Sequence, residues 1–397
     1  MRITRPACAV LAAALLTTVV ACGSGEGSPV TTDVPVDLAT LDVGGYPTQP
    51  RQVGVVANMD QARFVEAERL GDFVPAPADI DPRFVHTSPF MASVFIDPEA
   101  SLGKIMAVDR FAEIAPDFIG GFVSSAETER EHKGIDMVNA VMIFPDAQKA
   151  TAAATALEQL DFGYAPNNQP IEIPGYPAAK AHWQPDQQSI GSWFATGHLV
   201  IYTWFFDYLK IWLEKVDKQA LLDLTRKSLD TIVPAVAKFT PTPADQLMTL
   251  QRDREGMLGR TAPRPREDSW TNPPGVYAGR TSVHFSSDPV SRAKMIDDNG
   301  VDLYANDGAE VYRARDIAGA QAVRDHLGGL TRKFTAVESP KNLPGAQCKE
   351  YIGRERLAVR FYCAVSHDRY AAYVWSNQLL DVQQRIAAQY ALLVNAR

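Results

Sequence analysis

Two stretches of this chain repeat one another at a fixed distance. The apolar run 138–144 is followed by Asp146 and then by a segment whose Ala150, Ala153 and Leu157 share one helical face. Residues 310–315 are followed by Asp316 and by a segment with Ile317, Ala320, Val323 and Leu327 on one stripe, stopped at Gly328-Gly329. An aspartate ahead of such a stripe reads as a helix N-cap, because its carboxylate can accept from the free N–H groups of the first turn. The two aspartates stand 170 positions apart, as do Pro174-Gly175 and Pro344-Gly345. Further on, Tyr202 and Tyr373, and Trp204 and Trp375, stand 171 apart.

Paired β segments with polar turns fill the space between. One pair runs through Thr196-Gly197-His198 and the other through Ser366-His367-Asp368, and each unit closes with a helix opening at Leu221 or Leu379. Each unit therefore reads strand–helix–strand–strand–strand–helix. The expected class is α+β, with two related domains, each an antiparallel sheet with helices packed on one face. A period this long means duplicated domains and not a solenoid. The length of 397 residues agrees, since it suggests about two domains at roughly 150 residues each. The expected boundaries are a signal peptide at 1–21, a flexible tether at 22–45, a first domain at 46–240, a linker at 241–266 and a second domain at 267–397. The first domain begins with an extension holding a helix at 60–70 and a strand at 90–96. The linker carries a short helix at 244–258.

The first unit holds an insertion after Trp204 that the second lacks. Trp204, Tyr208 and Trp212 recur every four residues there, which predicts a helix with an aromatic face. Such a face could rest at a membrane interface or cover an apolar cleft. It could equally pack as ordinary core.

The N-terminus is the most specific signal. Arg2 and Arg5 precede 13 uncharged, mostly apolar residues at 9–21, which is signal-peptide length and short for a membrane span. Val19-Val20-Ala21-Cys22 resembles the bacterial lipobox, which implies cleavage before Cys22 and lipidation of its thiol. Gly23-Ser24-Gly25-Glu26-Gly27-Ser28 then reads as tether. The resemblance places the protein on the outer face of the cytoplasmic membrane, anchored by lipid. The formal net charge is −8, and without Arg2 and Arg5 it is −10. That balance argues against nucleic-acid binding and against electrostatic adhesion to anionic lipid.

Of four cysteines, Cys8 leaves with the signal and Cys22 takes lipid. Cys348 and Cys363 remain, an even number in an exported chain. They flank a hairpin turning near 353–356. Pairing them places Ile352, Val359 and Phe361 on their face, with Glu350 as the exception. A cross-strand disulfide is predicted.

Catalytic signatures are missing. No two of the seven histidines have metalloprotease spacing and none neighbours a cysteine, so no metal ligands are expected. There is no G-x-S-x-G elbow and no P-loop. The acidic run 297–302 lacks EF-hand spacing and reads as turns. No catalytic residue and no cofactor is expected.

The lipobox, the tether, the segment Leu41-Asp42-Val43-Gly44-Gly45-Tyr46-Pro47, the segment Gly256-Met257-Leu258-Gly259-Arg260-Thr261, the cysteine pair and the duplicated units resemble an uncharacterised family of actinobacterial, mycobacterial-type lipoproteins. The resemblance implies a cell-surface protein and supplies no catalytic residues. The leading expectation is a non-enzymatic binding protein for an apolar or lipid-like ligand or an envelope partner. The alternatives are a structural or sensor-like interaction module and an envelope hydrolase with a dispersed site.

Overall fold

The computed structural model describes residues 35–87, 93–103, 105, 106, 108, 110–265, 274–354 and 359–396. The signal segment and Cys22 lie outside the described residues, as does part of the strand expected at 90–96.

The first half opens with α1 (Met59–Gly71), α2 (Pro77–Ile80), β1 (His86–Thr87), β2 (Ser93–Phe95), α3 (Pro98–Leu102) and α4 (Phe111–Ile114). It continues with β3 (Gly120–Glu127), β4 (Ile135–Ile143), α5 (Ala147–Gly163), β5 (Gln169–Ile173), β6 (Tyr176–Gln184), β7 (Ser189–Thr196) and β8 (Leu199–Asp207). Helices α6 (Tyr208–Trp212) and α7 (Lys218–Val236) close it. The second half holds β9 (Gly275–Ala278), a 3-10 segment (Gly279–Phe285), α8 (Pro289–Asn299), β10 (Leu303–Asn306), β11 (Glu310–Arg313) and α9 (Ile317–Gly328). It ends with β12 (Phe334–Val337), β13 (Gln347–Tyr351), β14 (Phe361–His367), β15 (Tyr370–Ser376) and α10 (Leu379–Asn395).

The two sheets are antiparallel and share one order. The first runs β1-β3-β4-β8-β7-β6-β5, with β2 also on β3; the second runs β9-β10-β11-β15-β14-β13-β12. Both expected caps form. Asp146 accepts from Lys149 N at 2.7 Å, and Asp316 from Gly319 N at 2.7 Å. Strand register shows the duplication residue by residue. Tyr202 lies between Ala140 and Trp193, and Tyr373 lies between Glu310 and Ala364. The α+β class with two related antiparallel sheets stands.

Several finer expectations are corrected. Each sheet has three more strands than expected: β1, β3 and β5 join the first, and β9, β10 and β12 join the second. Helices cover both faces of each sheet and not one. On β4, Val138, Ala140 and Met142 pack with Leu157 of α5, while Met137, Val141 and Ile143 share a core with Leu224 and Leu229 of α7. The near-continuous apolar run of β4 requires this, since a strand apolar on both faces must be covered on both.

The expected tether is partly ordered. Val36, Leu38, Leu41 and Val43 pack with Val382, Ile386 and Tyr390 of α10. Tyr46 donates to Asp381 at 2.5 Å, and Arg385 Nε donates to Asp381 at 2.8 Å and to the Tyr46 hydroxyl at 3.1 Å. Apolar residues thinly spaced in a polar segment hid this packing. The helix expected at 244–258 is absent as well. Leu247–Thr249 forms one 3-10 turn, and Glu255 and Gly256 both take left-handed backbone angles (φ 55° and 70°), which no α-helix contains. The Asp253 carboxylate instead accepts from Leu258 N and Gly259 N, each at 2.8 Å.

Helix α1 joins the halves. It packs on β3 of one sheet and β9 of the other. Its C-cap Asp72 accepts from Ala278 N at 2.6 Å, Thr281 Oγ1 at 2.9 Å and Arg254 at 2.7 Å. Gly275 lets β9 approach; a Cβ there would come within 2.3 Å of Glu68 Oε1. The result is one core cluster that includes Phe122 and Leu229 from the first half and Tyr304 and Val323 from the second.

Candidate functional site

A cavity of about 700 Å³ lies on the α9 face of the second sheet. Its size suits a small organic ligand. One wall is aromatic. Tyr362 and Tyr373 stack at 5.7 Å, Phe334 meets Tyr362 edge-on at 5.6 Å, and Trp375 lies 6.4 Å from Tyr373. β-Alternation puts these side chains on one face, because Tyr362 pairs with Trp375 and with Lys349 across the strands.

Polar groups converge from two directions. Arg292 on α8 lies 3.5 Å from Glu310 and donates to the Tyr312 hydroxyl, while Tyr304 donates to Glu310 at 3.0 Å. Lys349 on β13 is the more unusual group. It is buried, and its Nζ donates to the carbonyls of Leu327 at 2.6 Å and Gly329 at 3.1 Å, at the C-terminal end of α9. A helix C-terminus favours a cation. The ammonium also lies over Phe334, 4.6 Å from the ring centre. Among the described residues no carboxylate pairs with it. Burial pulls its pKa down to about 8. His326, which also lines the cavity, is lowered by burial and then by Arg292. The site thus has an apolar wall and a mixed polar floor, in which Lys349 and Arg292 stand among Asp288, Glu310 and Asp325.

The register that aligns the two sheets locates the matching place in the first. His182 stands where Lys349 stands, Gly191 where Tyr362 stands and Ala140 where Glu310 stands. The smaller cavity there, about 330 Å³, is lined by His182, Gly191, Tyr202, Trp204 and Phe206 among others. Trp193 is fully buried beside it, stacks on Tyr202 at 4.4 Å and donates to Asp161 at 3.2 Å.

The aromatic residues singled out in sequence are placed differently from expectation. Trp204 belongs to β8, which continues to Asp207 because Trp204 pairs with Val138 and Gly191 and Phe206 pairs with Asp136 and Ser189. Asp207 then caps α6 by accepting from Lys210 N at 2.9 Å. The four-residue stripe does not exist. A two-residue ladder replaces it, with Trp204 on Phe206 at 5.4 Å and Phe206 on Tyr208 at 4.2 Å. Trp212 stands apart, 61% exposed. The disulfide joins Cys348 and Cys363, which are direct cross-strand partners. It faces the α10 core, opposite the cavity. Ile352, expected on that buried face, is exposed beyond the end of β13.

The cavity residues Lys349, Arg292, Phe334, Tyr362 and Tyr373 were missed in sequence. One signal was available. Lys349 alternates with Cys348 and so points to the opposite face, which is informative only once that face is known to be covered.

Two related α+β units, each an antiparallel sheet covered by helices, make up the described chain. The chain belongs to the DUF7373 family. Residues 53–252 match the N-terminal domain of unknown function of that name, and residues 257–396 match its C-terminal domain. No curated protein matches. Among solved structures, the extracellular domain of PknH from Mycobacterium tuberculosis is similar at 11% identity and a TM-score of 0.29, covering 46% of this chain and 100% of that one. Among the described residues no helix is long and apolar enough to cross a membrane.

Proposed function

We propose that this protein is a lipid-anchored, non-enzymatic binding protein of the cell envelope. Its N-terminal signal exports it, lipid on Cys22 holds it at the outer face of the cytoplasmic membrane, and its second domain takes an amphipathic ligand. The apolar body of that ligand lies against Phe334, Tyr362, Tyr373 and Trp375, and its acidic group approaches Lys349. The observation that carries this reading is a buried lysine with no carboxylate partner among the described residues, set in the floor of an aromatic-walled cavity of about 700 Å³. Burying an ammonium is costly, and an anionic ligand offsets that cost.

The test compares oleate with its methyl ester by fluorescence titration of the full-length protein in detergent, with native mass spectrometry of the purified protein alongside. Oleate should bind about tenfold or more tightly than the ester, since a charge-assisted contact is worth roughly 1.5–3 kcal/mol. Equal affinity for both, or no binding of either and no copurifying amphiphile, overturns the reading. For the anchor, Cys22→Ser should release the protein from membranes; retention after signal cleavage would refute lipidation.

A further inference from the structure

A second place in the molecule holds buried charge that its surroundings compensate poorly. It lies in the first domain, at the open end of the β3–β4 hairpin. Glu127 and Asp136 are direct cross-strand partners, so their side chains share a face. His132, in the connecting loop, turns its ring back over them. Its Nδ1 lies 2.9 Å from Asp136 Oδ2 and 4.0 Å from Glu127 Oε2, and its backbone N–H donates to Glu127 at 3.3 Å.

Both carboxylates are buried, at 4% and 0% exposure. Among the described residues no lysine or arginine pairs with either. Asp136 Oδ1 is fully enclosed and has no hydrogen-bond partner there. Two adjoining buried carboxylates that share one imidazole are poorly compensated, and an unpaired buried oxygen adds a desolvation cost. One ligand atom from each of the three residues lies within 4.8 Å of the other two. Donors bound to a common cation at about 2.0–2.3 Å lie no more than roughly 4.6 Å apart, so only a small adjustment is needed. The ring of Tyr208 covers His132 from one side at 4.7 Å, and His132 itself remains open to solvent, which gives an ion an entry path.

We propose that Glu127, His132 and Asp136 form a binding site for a divalent first-row transition ion of the zinc type. Two carboxylates with an imidazole favour such an ion over calcium, which prefers an all-oxygen shell. Water completes the coordination on the His132 side. The site lies in the first domain and owes nothing to the ligand cavity of the second.

The experiment uses the full-length protein in detergent, stripped with chelator and dialysed against Zn²⁺, Mn²⁺ or Ca²⁺. Bound metal is counted by elemental analysis and the melting temperature followed. About one equivalent of Zn²⁺ per chain is expected, with a rise in melting temperature, because an ion that binds only the folded state stabilises it. His132→Asn should lose the ion and the rise; asparagine tolerates the left-handed backbone at this position, where φ is 54°. Asp136→Asn should lose both as well, and should melt higher than the metal-free wild type at neutral pH, since it removes a buried charge. Wild-type protein that retains less than about a fifth of an equivalent of Zn²⁺ overturns the proposal. So does a folded His132→Asn variant that binds as wild type, or retention of Ca²⁺ in preference to Zn²⁺.

Discussion

The two domains share one frame and fill it differently. On the helix-covered face that carries α5 in one domain and α9 in the other, register sets Trp193 against Ala364. In the first domain the indole occupies the interior, and the Tyr202 hydroxyl reaches the carbonyl of Ile105 at 3.2 Å. In the second domain a methyl group stands in that position, and the cavity is about 700 Å³ against about 330 Å³. The matched positions differ elsewhere too, with Gly191 where Tyr362 stands, so strands of the same order carry cores filled by different side chains. The charges follow. His182 in the packed copy becomes Lys349 in the hollow one, and Ala140 becomes Glu310.

Exchanging the two residues is the most direct way to break the comparison. Trp193→Ala should have the largest effect, a loss of about 3–5 kcal/mol in stability by denaturant unfolding, because it leaves a void and removes the hydrogen bond to Asp161. A smaller loss would mean that the first domain collapses to fill the space. Next comes the disulfide, which joins Cys348 to Cys363 where the first domain pairs Ala181 with Ser192. Replacing both cysteines with alanine and serine should cost about 3 kcal/mol through the freed loop. No change in melting temperature would show that the hollow domain does not depend on it.

The reverse exchange, Ala364→Trp, should cost less, about 1–3 kcal/mol from crowding. It should also abolish amphiphile binding in the fluorescence titration. Retained binding would place the ligand elsewhere. The smallest effect belongs to Lys349→Met, which should weaken oleate about tenfold and leave its methyl ester unchanged.

The same lysine sharpens the comparison through pH. Its folded pKa of about 8 lies below the ordinary lysine value, so between these limits the unfolded chain holds more protons than the folded one. Its contribution to stability is therefore unfavourable below about pH 8 and improves as pH rises towards 10. Oleate affinity should fall over that range, because the ammonium loses its proton. Lys349→Met should flatten both slopes, as read by thermal melts and titrations at pH 7 and pH 9.5.

Features governed by neighbouring residues were legible in the sequence. Asp146 and Asp316 could be read as caps because capping involves residues only three positions away. The cysteine pair could be read because a hairpin keeps its partners close. The faces of the strands were not legible, since whether both sides of β4 are covered depends on where α5 and α7 go. Trp204, Tyr208 and Trp212 fit a period of four, but Trp204, Phe206 and Tyr208 fit a period of two equally well. Strand pairing on both sides of β8 decided between them. The 170-residue offset also misled at one point. Register places Lys349 opposite the position of His182, an offset of 167, because β6 is longer than β13. In the Glu127, His132 and Asp136 group, His132 and Asp136 stand four apart but on a loop and a strand, so the group emerges only when a hairpin folds back on itself.

The segment around residues 36–48 lies against the last helix. Tyr46 and Asp381 are 335 positions apart, and the Asn395 side chain donates to the Thr48 carbonyl across 347. A ribosome adding about 5–20 residues per second needs roughly 20–70 s to cover that distance. The first part of this unit to be made is thus among the last to find its place. Until α10 arrives, Leu38 and Leu41 lack part of the core they pack in, and α10 made without them would leave an apolar strip open to other chains. A fragment begun at residue 257 would carry that strip from the start, so aggregation of such a fragment would report on the missing N-terminal strap and not on any fault in the domain itself.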